Sequence, residues 1–478
     1  MSTISQDIAK FVADFSYEKL PEEIVTEAKR FLYDSIGCAF GGFQTQDVKI
    51  AKDVYLGMGG VEEATILGFG KRCPAPNATL LNSMMIRALD FNDIYWKQDP
   101  AHPSDLIPAA LSLGERKKAS GKDVILAIVL GYEFLMRLSE VADPGVRERK
   151  WHHATLTQFA SAIIAGKILG LNAKQIANAI GISGSHNHTI GAVASGKLTM
   201  MKNAADPFAV QSGVMAALLA EKGFEGPEHV FEGKEGLAEA HGGKWNLDIL
   251  TENLGETFRI KQCSMKAYPV EGLAHSTLSA AIKIAGELDL WPEEVKSVEI
   301  ETISRAVDIL ADPAKFKPTT RETADHSLPF CVASAILDKN LTPASFADEQ
   351  LNNERIMKLI DKITITANPE FDKLFPEMQP SKVTINAMDG RTKTQREDYP
   401  KGDPWSPMTQ EDLDTKFKSL TSGSVSVELQ TQIRRAIFDC EKLPDISNLM
   451  ALCIADMSVS RKPQAQKKAE PQVSTAAK

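Results

Sequence analysis

The chain has 478 residues, 43% of them hydrophobic and 24% charged, which are the proportions of a globular protein. That length exceeds one ordinary core, so two or more domains are expected. A formal net charge of −9 offers no basic face to phosphates. It argues against a nucleic-acid partner and requires that any anionic ligand meet positive charge gathered locally.

In chain order, "MSTISQDIAKFVADF" has no basic run before an apolar one and carries acids, so no targeting signal is read there and a cytoplasmic location is expected. "LPEEIVTEAKRFLYDSIGCAFGG" predicts a helix from Pro21 to Gly41-Gly42, with Ile24, Ala28, Phe31, Leu32 and Ile36 on one stripe. A second apolar run leads into "MMIRALDFNDIYWKQDPAHPSD", where Arg87 and Asp90 fall three apart, as on one helix face. Asn92, Asp93, Asp99, His102 and Asp105 follow, the pattern of a helix that delivers polar groups into a pocket. "DVILAIVLGYEFLMRLSEVA", "LTQFASAIIAGKILGLNAKQIANAIGI" and "AVQSGVMAALLAEKGF" are apolar on most helical faces, which predicts helices buried among helices.

After about Gly255 the pattern changes to short β-branched alternations, "VKSVEIETI", "KITITAN" and "SKVTINAMDGRTKTQREDYP", with Asp389-Gly390 placed as a hairpin turn. Helical stretches "HSTLSAAIKIAGEL" and "HSLPFCVASAIL" lie between them, and from "TQEDLDTKFKSL" to "ALCIADM" the pattern is helical again. The fold class is therefore mainly α. A large all-helical domain over residues 1–265, completed by 405–457, carries a smaller α+β lid over 266–404. The Lys-, Gln- and Pro-rich stretch 458–478 is expected to be a disordered tail. No segment reaches the roughly 18 uninterrupted apolar residues of a membrane span.

Motif chemistry first narrows by absence. Six cysteines lie scattered without CxxC spacing, which gives no support for a zinc ribbon or an iron–sulfur cluster. No phosphate loop, dinucleotide fingerprint, HExxH or nucleophile elbow occurs. His186 and His188 in "GSHNHTIG" have no carboxylate or Cys at ligand spacing, so helix capping or an interface is expected there rather than a metal. No metal and no cofactor are expected.

The remaining candidates gain weight together. Arg87 and Asp90 read singly as a surface ion pair, worth little. His102 beside Pro103 reads as a structural loop histidine. His152 and His153, after Trp151 and just before a buried helix, either cap it or project into a cavity. Lys202 follows two methionines and either snorkels or stands as a desolvated cation ready for an anion. Lys266 and Glu271 flank Tyr268-Pro269 where the two patterns meet. Removing a proton next to a carboxylate builds negative charge on an anion; fixed cations such as Arg87, Lys202 and Lys266 stabilise it. A His or desolvated carboxyl takes the proton, and a second protonated group delivers one to a leaving hydroxyl. The same parts support decarboxylation or epimerisation.

At "MIRALDFND" and "HPSD" the sequence resembles the MmgE/PrpD family. The resemblance continues through "LYDSIGCAFGG", the His152-His153 helix start, "GKLTMMKNAADPFAVQSGVMAALLAEKGF", "KAYPVEG" and "DHSLPF". It implies an all-helical domain with an α+β lid, an active site between them and a homodimer. By the same resemblance Asp90, His102, Lys202, Lys266 and one of His152 and His153 fall on active-site positions, with Arg87, Asp93, Tyr268 and Glu271 expected to bind substrate. The family's activities are dehydration of 2-methylcitrate, decarboxylation of cis-aconitate and epimerisation of an imino- or aminodicarboxylate. Arg87, Asn92, "HPSD" and Glu271 look like the dehydratase, whereas Ile94 stands where dehydratases usually have Thr. The expected function is a hydro-lyase acting on 2-methylcitrate. The other two activities, and a non-catalytic organic-acid-binding protein, are the alternatives.

Overall fold

The computed structural model describes residues 2–456, so the expected tail lies outside the described residues. Nine helices of the larger body are α1 (Ile4–Asp14), α2 (Glu22–Gly42), α3 (Gln46–Gly57), α4 (Ala75–Arg87), α5 (Ile107–Lys117), α6 (Gly121–Leu138), α7 (Ala154–Leu169), α8 (Ala173–Ser183) and α9 (Met201–Glu221). Their starts follow local chemistry. Thr3, Ser120 and Asn172 close capping boxes with Gln6, Asp123 and Gln175 at α1, α6 and α8, satisfying amide groups that a helix start leaves free. Pro21 precedes α2, and Glu22 and Glu23 occupy its first turn, where acids meet the positive end of the helix dipole.

The Ala- and Gly-rich helices pack closely because they have little side chain to separate them. A Cβ on Gly213 of α9 would sit 2.4 Å from the Gln158 carbonyl oxygen of α7, so only glycine permits that approach. Buried apolar residues form one core from Ile8 to Met265 that takes up Met408 to Cys453 as well. A second core runs from Val270 to Ala387, and Trp96 reaches into it from the helical side. No helix among the described residues is long and apolar enough to cross a membrane.

The second core is built on a four-stranded sheet, β1 (Val295–Thr302), β2 (Ile363–Ala367), β3 (Ser381–Ala387) and β4 (Thr392–Glu397), in the order β4-β3-β1-β2. β1 runs parallel to β2 and antiparallel to β3, and β3 and β4 form a hairpin around Asp389-Gly390, where Gly390 takes a φ of 92°. Alternate residues of β3 are buried, the half-covered pattern of a sheet with helices on one face. Helix His275–Leu288 provides that cover, and helix Leu328–Asp338 packs against it in turn.

The helix Gln410–Thr421 returns to α2, where Phe417 stacks on Tyr33 at 4.3 Å. Its Lys416 is buried against Asp34 at 2.7 Å and donates to the carbonyls of Phe91 at 2.7 Å and Lys266 at 2.9 Å. Ile94 and Ser264 exchange two backbone hydrogen bonds of 2.9 Å. Two loops far apart in sequence, 90–94 and 264–266, are thus fastened together, and both carry site residues.

Candidate active site

α4 ends at Arg87, and Asp90 turns into the left-handed region with φ 49°, which corrects the expectation that the two share a helix face. The turn folds Asp90 back: its N–H donates to the Arg87 carbonyl at 3.0 Å, and Arg87 Nη1 donates to Asp90 Oδ1 at 2.6 Å. Aspartate is among the few residues that tolerate this conformation, at a cost of about 1–2 kcal/mol.

Asp90 then meets two more cations. Lys266 Nζ lies 2.6 Å from Oδ1 and Lys202 Nζ 3.0 Å from Oδ2. Burial alone would raise the carboxyl, but Lys202, Lys266 and Arg87 hold it well below the usual range. Such a group is a fixed anion and a poor proton acceptor, so its part is to orient cations. Burial lowers Lys266, with Asp90 opposing, and burial likewise works against Arg87 while Asp90 and Asp105 keep it charged.

Lys202 lies in the first turn of α9, and Asp206 follows four residues later on the same face. Lys202 reaches Asp325 at 3.3 Å, and Asp325 accepts from His326 Nδ1 at 2.7 Å. Asp325 and His326 belong to "DHSLPF" in the α+β region, so the ion pair bridges the two cores. Burial, then Lys202, pushes His326 down to about 4.

Three further histidines line the same pocket. His102 Nδ1 lies 2.7 Å from the Asp93 carbonyl, which can only accept; Nδ1 therefore carries the proton and Nε2 keeps a lone pair. Burial, then Arg87 and Lys266, lowers His102 well below the ordinary histidine value, so it stays neutral. His153 Nε2 lies 3.1 Å from Asp206, whose other oxygen accepts from Thr157 at 2.7 Å. Burial would raise Asp206, but His153, in hydrogen-bond contact with it, holds it below the usual range. His152 Nδ1 accepts from the Ala154 N–H at 3.2 Å, and its ring lies 4.0 Å from that of His153, which in turn lies 5.5 Å from that of His102. Burial, then His153, keeps His152 neutral.

Arg87, Asp90, His102, His152, His153, Lys202, Lys266 and Glu271 all line one inner pocket of about 40 Å³. Both histidines of the pair are therefore in the site. Glu271 accepts from the Leu273 N–H at 2.7 Å, and burial raises it, with Lys266 opposing, which favours its protonated form. Ile94 contributes an apolar wall.

Two expected binding residues lie elsewhere. The Asp93 carboxylate turns away from the pocket to accept from Ser104 N–H at 3.0 Å, Ser104 Oγ at 2.6 Å and Tyr132 Oη at 2.7 Å, because those donors satisfy its charge. The Tyr268 ring packs against the second core, 5.5 Å from His275. Conversely, His326 and Arg147 line the pocket, and Asp325 and Asp206 brace it, without having been singled out. "DHSLPF" carried the same signal as His152-His153, titratable groups ahead of a buried helix. Arg147 in "GVRERK" was hidden in what reads as a solvated charge run.

An outer cleft of about 860 Å³ opens between the two cores and shares Arg147, His152, Ala194 and Ile309 with the inner pocket. Across it Arg305 pairs with Glu148, and Lys315 donates to the Gly196 carbonyl at 3.3 Å. Among the described residues, two groups have donor atoms close enough together for a metal ion, His152, His153 and Asp206, and Asp90, Asp325 and His326. The second is already neutralised by Lys202 and Lys266, which a metal cation would have to oppose.

The MmgE/PrpD N-terminal domain matches residues 6–250, and the MmgE/PrpD C-terminal domain matches residues 268–441. Among curated proteins, the cis-aconitate decarboxylase-like protein oryM of Aspergillus oryzae is 24% identical, over 95% of this chain and 98% of its own length. The human cis-aconitate decarboxylase is 25% identical, over 95% of both chains. The 2-methylcitrate dehydratase of Salmonella typhi is 24% identical, over 80% of this chain and 82% of its own.

Proposed function

The chain belongs to the MmgE/PrpD family, and from that premise we propose that it is a hydro-lyase dehydrating 2-methylcitrate to 2-methyl-cis-aconitate. The observation that carries this reading is geometric: one cation-lined pocket brings together His102, whose Nδ1 is engaged by the Asp93 carbonyl so that Nε2 is left to act, and the Glu271 carboxyl. Dehydration needs both. His102 Nε2 takes the proton next to a substrate carboxylate. The C–H electron pair becomes the new C=C bond, the C–O bond breaks, and Glu271 protonates the departing hydroxyl to water. Arg87, Lys202 and Lys266 hold carboxylates and stabilise the enediolate-like charge, in a site where fixed charges need no reorganisation.

Decarboxylation of cis-aconitate is the second reading, favoured by coverage: relatives named for that activity align over 94–95% of this chain, those named as dehydratases over 72–80%. It needs a proton donor for the carbanion but no base. Purified protein, with and without chelator, is offered 2-methylcitrate, citrate and cis-aconitate, following enoate absorbance and product mass. Enoate growth from 2-methylcitrate supports dehydration; consumption of cis-aconitate with CO2 release replaces it with the decarboxylase. Saturable binding without turnover of these acids or of an iminodicarboxylate would leave a binding protein. A homodimer belongs to the same proposal, supported by the exposed apolar side chains of Ile50 and Val54 on α3 and of Met58 just after it. A monomer by light scattering at micromolar concentration would refute it.

A further inference from the structure

The outer cleft contains a charged group without a counterpart. Arg147 lies in the turn Val146–Arg149, and its guanidinium makes no hydrogen bond or ion pair with any described residue. Its neighbours are engaged: Arg305 with Glu148, Lys315 with Asp312 at 3.4 Å, and Arg149 with the His241 carbonyl at 3.2 Å. Arg147 is half-buried and lines both the outer cleft and the inner pocket, so its guanidinium is open to a ligand entering either; burial, with Glu271 opposing, lowers its pKa.

The position is enforced. Asp99 is fully buried, and its two oxygens accept from the N–H groups of Val146 at 2.8 Å and Arg147 at 2.9 Å. Gly145 admits no side chain, since a Cβ would sit 2.6 Å from the Gln98 carbonyl oxygen and 2.7 Å from Asp99 Oδ1. The sequence thus commits a buried carboxylate and a glycine to holding one unpaired arginine at the junction of the two cavities.

We propose that Arg147 is an anion subsite that binds a substrate carboxylate remote from the reacting carbon, so that the enzyme selects tricarboxylates over dicarboxylates. The inference deepens the polycarboxylate reading above and rests on it. Arg87, Lys202 and Lys266 already share Asp90 on the inner side, and a third carboxylate projecting outward meets the planar guanidinium fork that suits it.

Calorimetry on the full chain tests this with two unreactive acids, propane-1,2,3-tricarboxylate and glutarate, which differ by one carboxylate. The tricarboxylate is expected to bind wild type about tenfold tighter or more, as a charge-assisted contact implies. In Arg147→Ala it loses that advantage while glutarate changes little, and Arg147→Lys recovers part of it. With a turned-over tricarboxylate, Arg147→Ala raises KM and leaves kcat within a few-fold, the signature of binding away from the chemistry. A preference that survives intact in Arg147→Ala overturns the inference even if turnover is found. Wild type that binds neither acid and turns over no polycarboxylate sinks the parent reading with it. A thermal melt matching wild type shows that each variant is folded.

Discussion

Asp90 and Asp93 stand three residues apart on one loop, both no more than 1% exposed, and their carboxylates have opposite electrostatics. Asp90 is surrounded by an arginine and two lysines, which overcome burial and keep it ionised. Asp93 meets hydroxyl and amide donors instead; burial prevails over Ser104 and Tyr132, and its pKa rises to about 6. The residue type is the same, so the partners decide. Full charges hold an anion permanently, whereas neutral donors leave a carboxyl that titrates near neutrality. The division is also one of labour. Asp90 arranges the cations that meet substrate, while Asp93 shapes the backbone, and its carbonyl fixes the tautomer of His102. Damage on the first side should appear as lost chemistry and on the second as lost stability.

The largest effect tests the chemical side. His102→Gln removes the lone pair that takes the proton and should lower turnover by about 10²–10⁴-fold, with a melting temperature near that of wild type. Near-normal turnover would remove His102 from the mechanism. Asp93→Ala is the counterpart. It leaves the buried hydroxyls of Ser104 and Tyr132 without their acceptor, at about 1–3 kcal/mol for each unpaired group. Denaturant unfolding should show a loss of about 3 kcal/mol, with a smaller loss of turnover in the folded fraction. A variant as stable as wild type would mean that Asp93 braces nothing.

His275 extends the comparison to a buried group without a counter-charge: its Nε2 has no hydrogen-bond partner. Burial, then Lys266, pushes it down to about 3. The folded chain keeps it neutral where the unfolded chain, with a histidine pKa near about 6.5, takes a proton. Below that pH the unfolded state binds more protons, so His275 removes about 1.4 kcal/mol of stability per pH unit until about pH 3. His275→Gln cannot titrate, and its stability relative to wild type should therefore rise as pH falls from 6.5 to 4.5. Parallel stability curves for the two proteins would show that His275 is not held neutral.

The long helices and the β3-β4 hairpin were legible because both rest on local periodicity: buried stripes of Ile24, Phe31 and Leu32, alternation in "SKVTINA", and Asp389-Gly390 at the turn. Much of the inner pocket was legible too, since Arg87, His102, His152, Lys202 and Lys266 are charged or titratable residues set beside apolar runs. What the sequence could not show was direction. In "DFND" nothing distinguishes an aspartate facing the cavity from one facing Tyr132, because that depends on Asp90 adopting a positive φ and on α6 passing behind the loop. Long-range partners were equally hidden. Lys416, more than three hundred residues from Phe91, reads as an ordinary surface lysine of an amphipathic helix, yet it fastens two site loops.

The smallest effect probes the Asp93 side most finely. Tyr132 is fully buried, its ring lies 4.9 Å from that of Phe31, and its hydroxyl donates to Asp93 Oδ2 at 2.7 Å. Tyr132→Phe keeps the ring and removes one donor from a carboxylate that already holds its charge weakly. The hydroxyl lowers the Asp93 pKa, so its loss should move that pKa above about 6. Above the new value Asp93 must still be ionised in the folded state, and the variant is then destabilised by about 1–2 kcal/mol, the worth of one hydrogen bond to a charged group. At pH 5 Asp93 is protonated in both folded proteins, only a neutral hydrogen bond is missing, and the difference should narrow to about 1 kcal/mol or less. Measuring unfolding at pH 8 and pH 5 therefore reads the state of Asp93 through its neighbour. A cost that is the same at both pH values would show that Asp93 does not titrate between them, and the contrast with Asp90 would disappear.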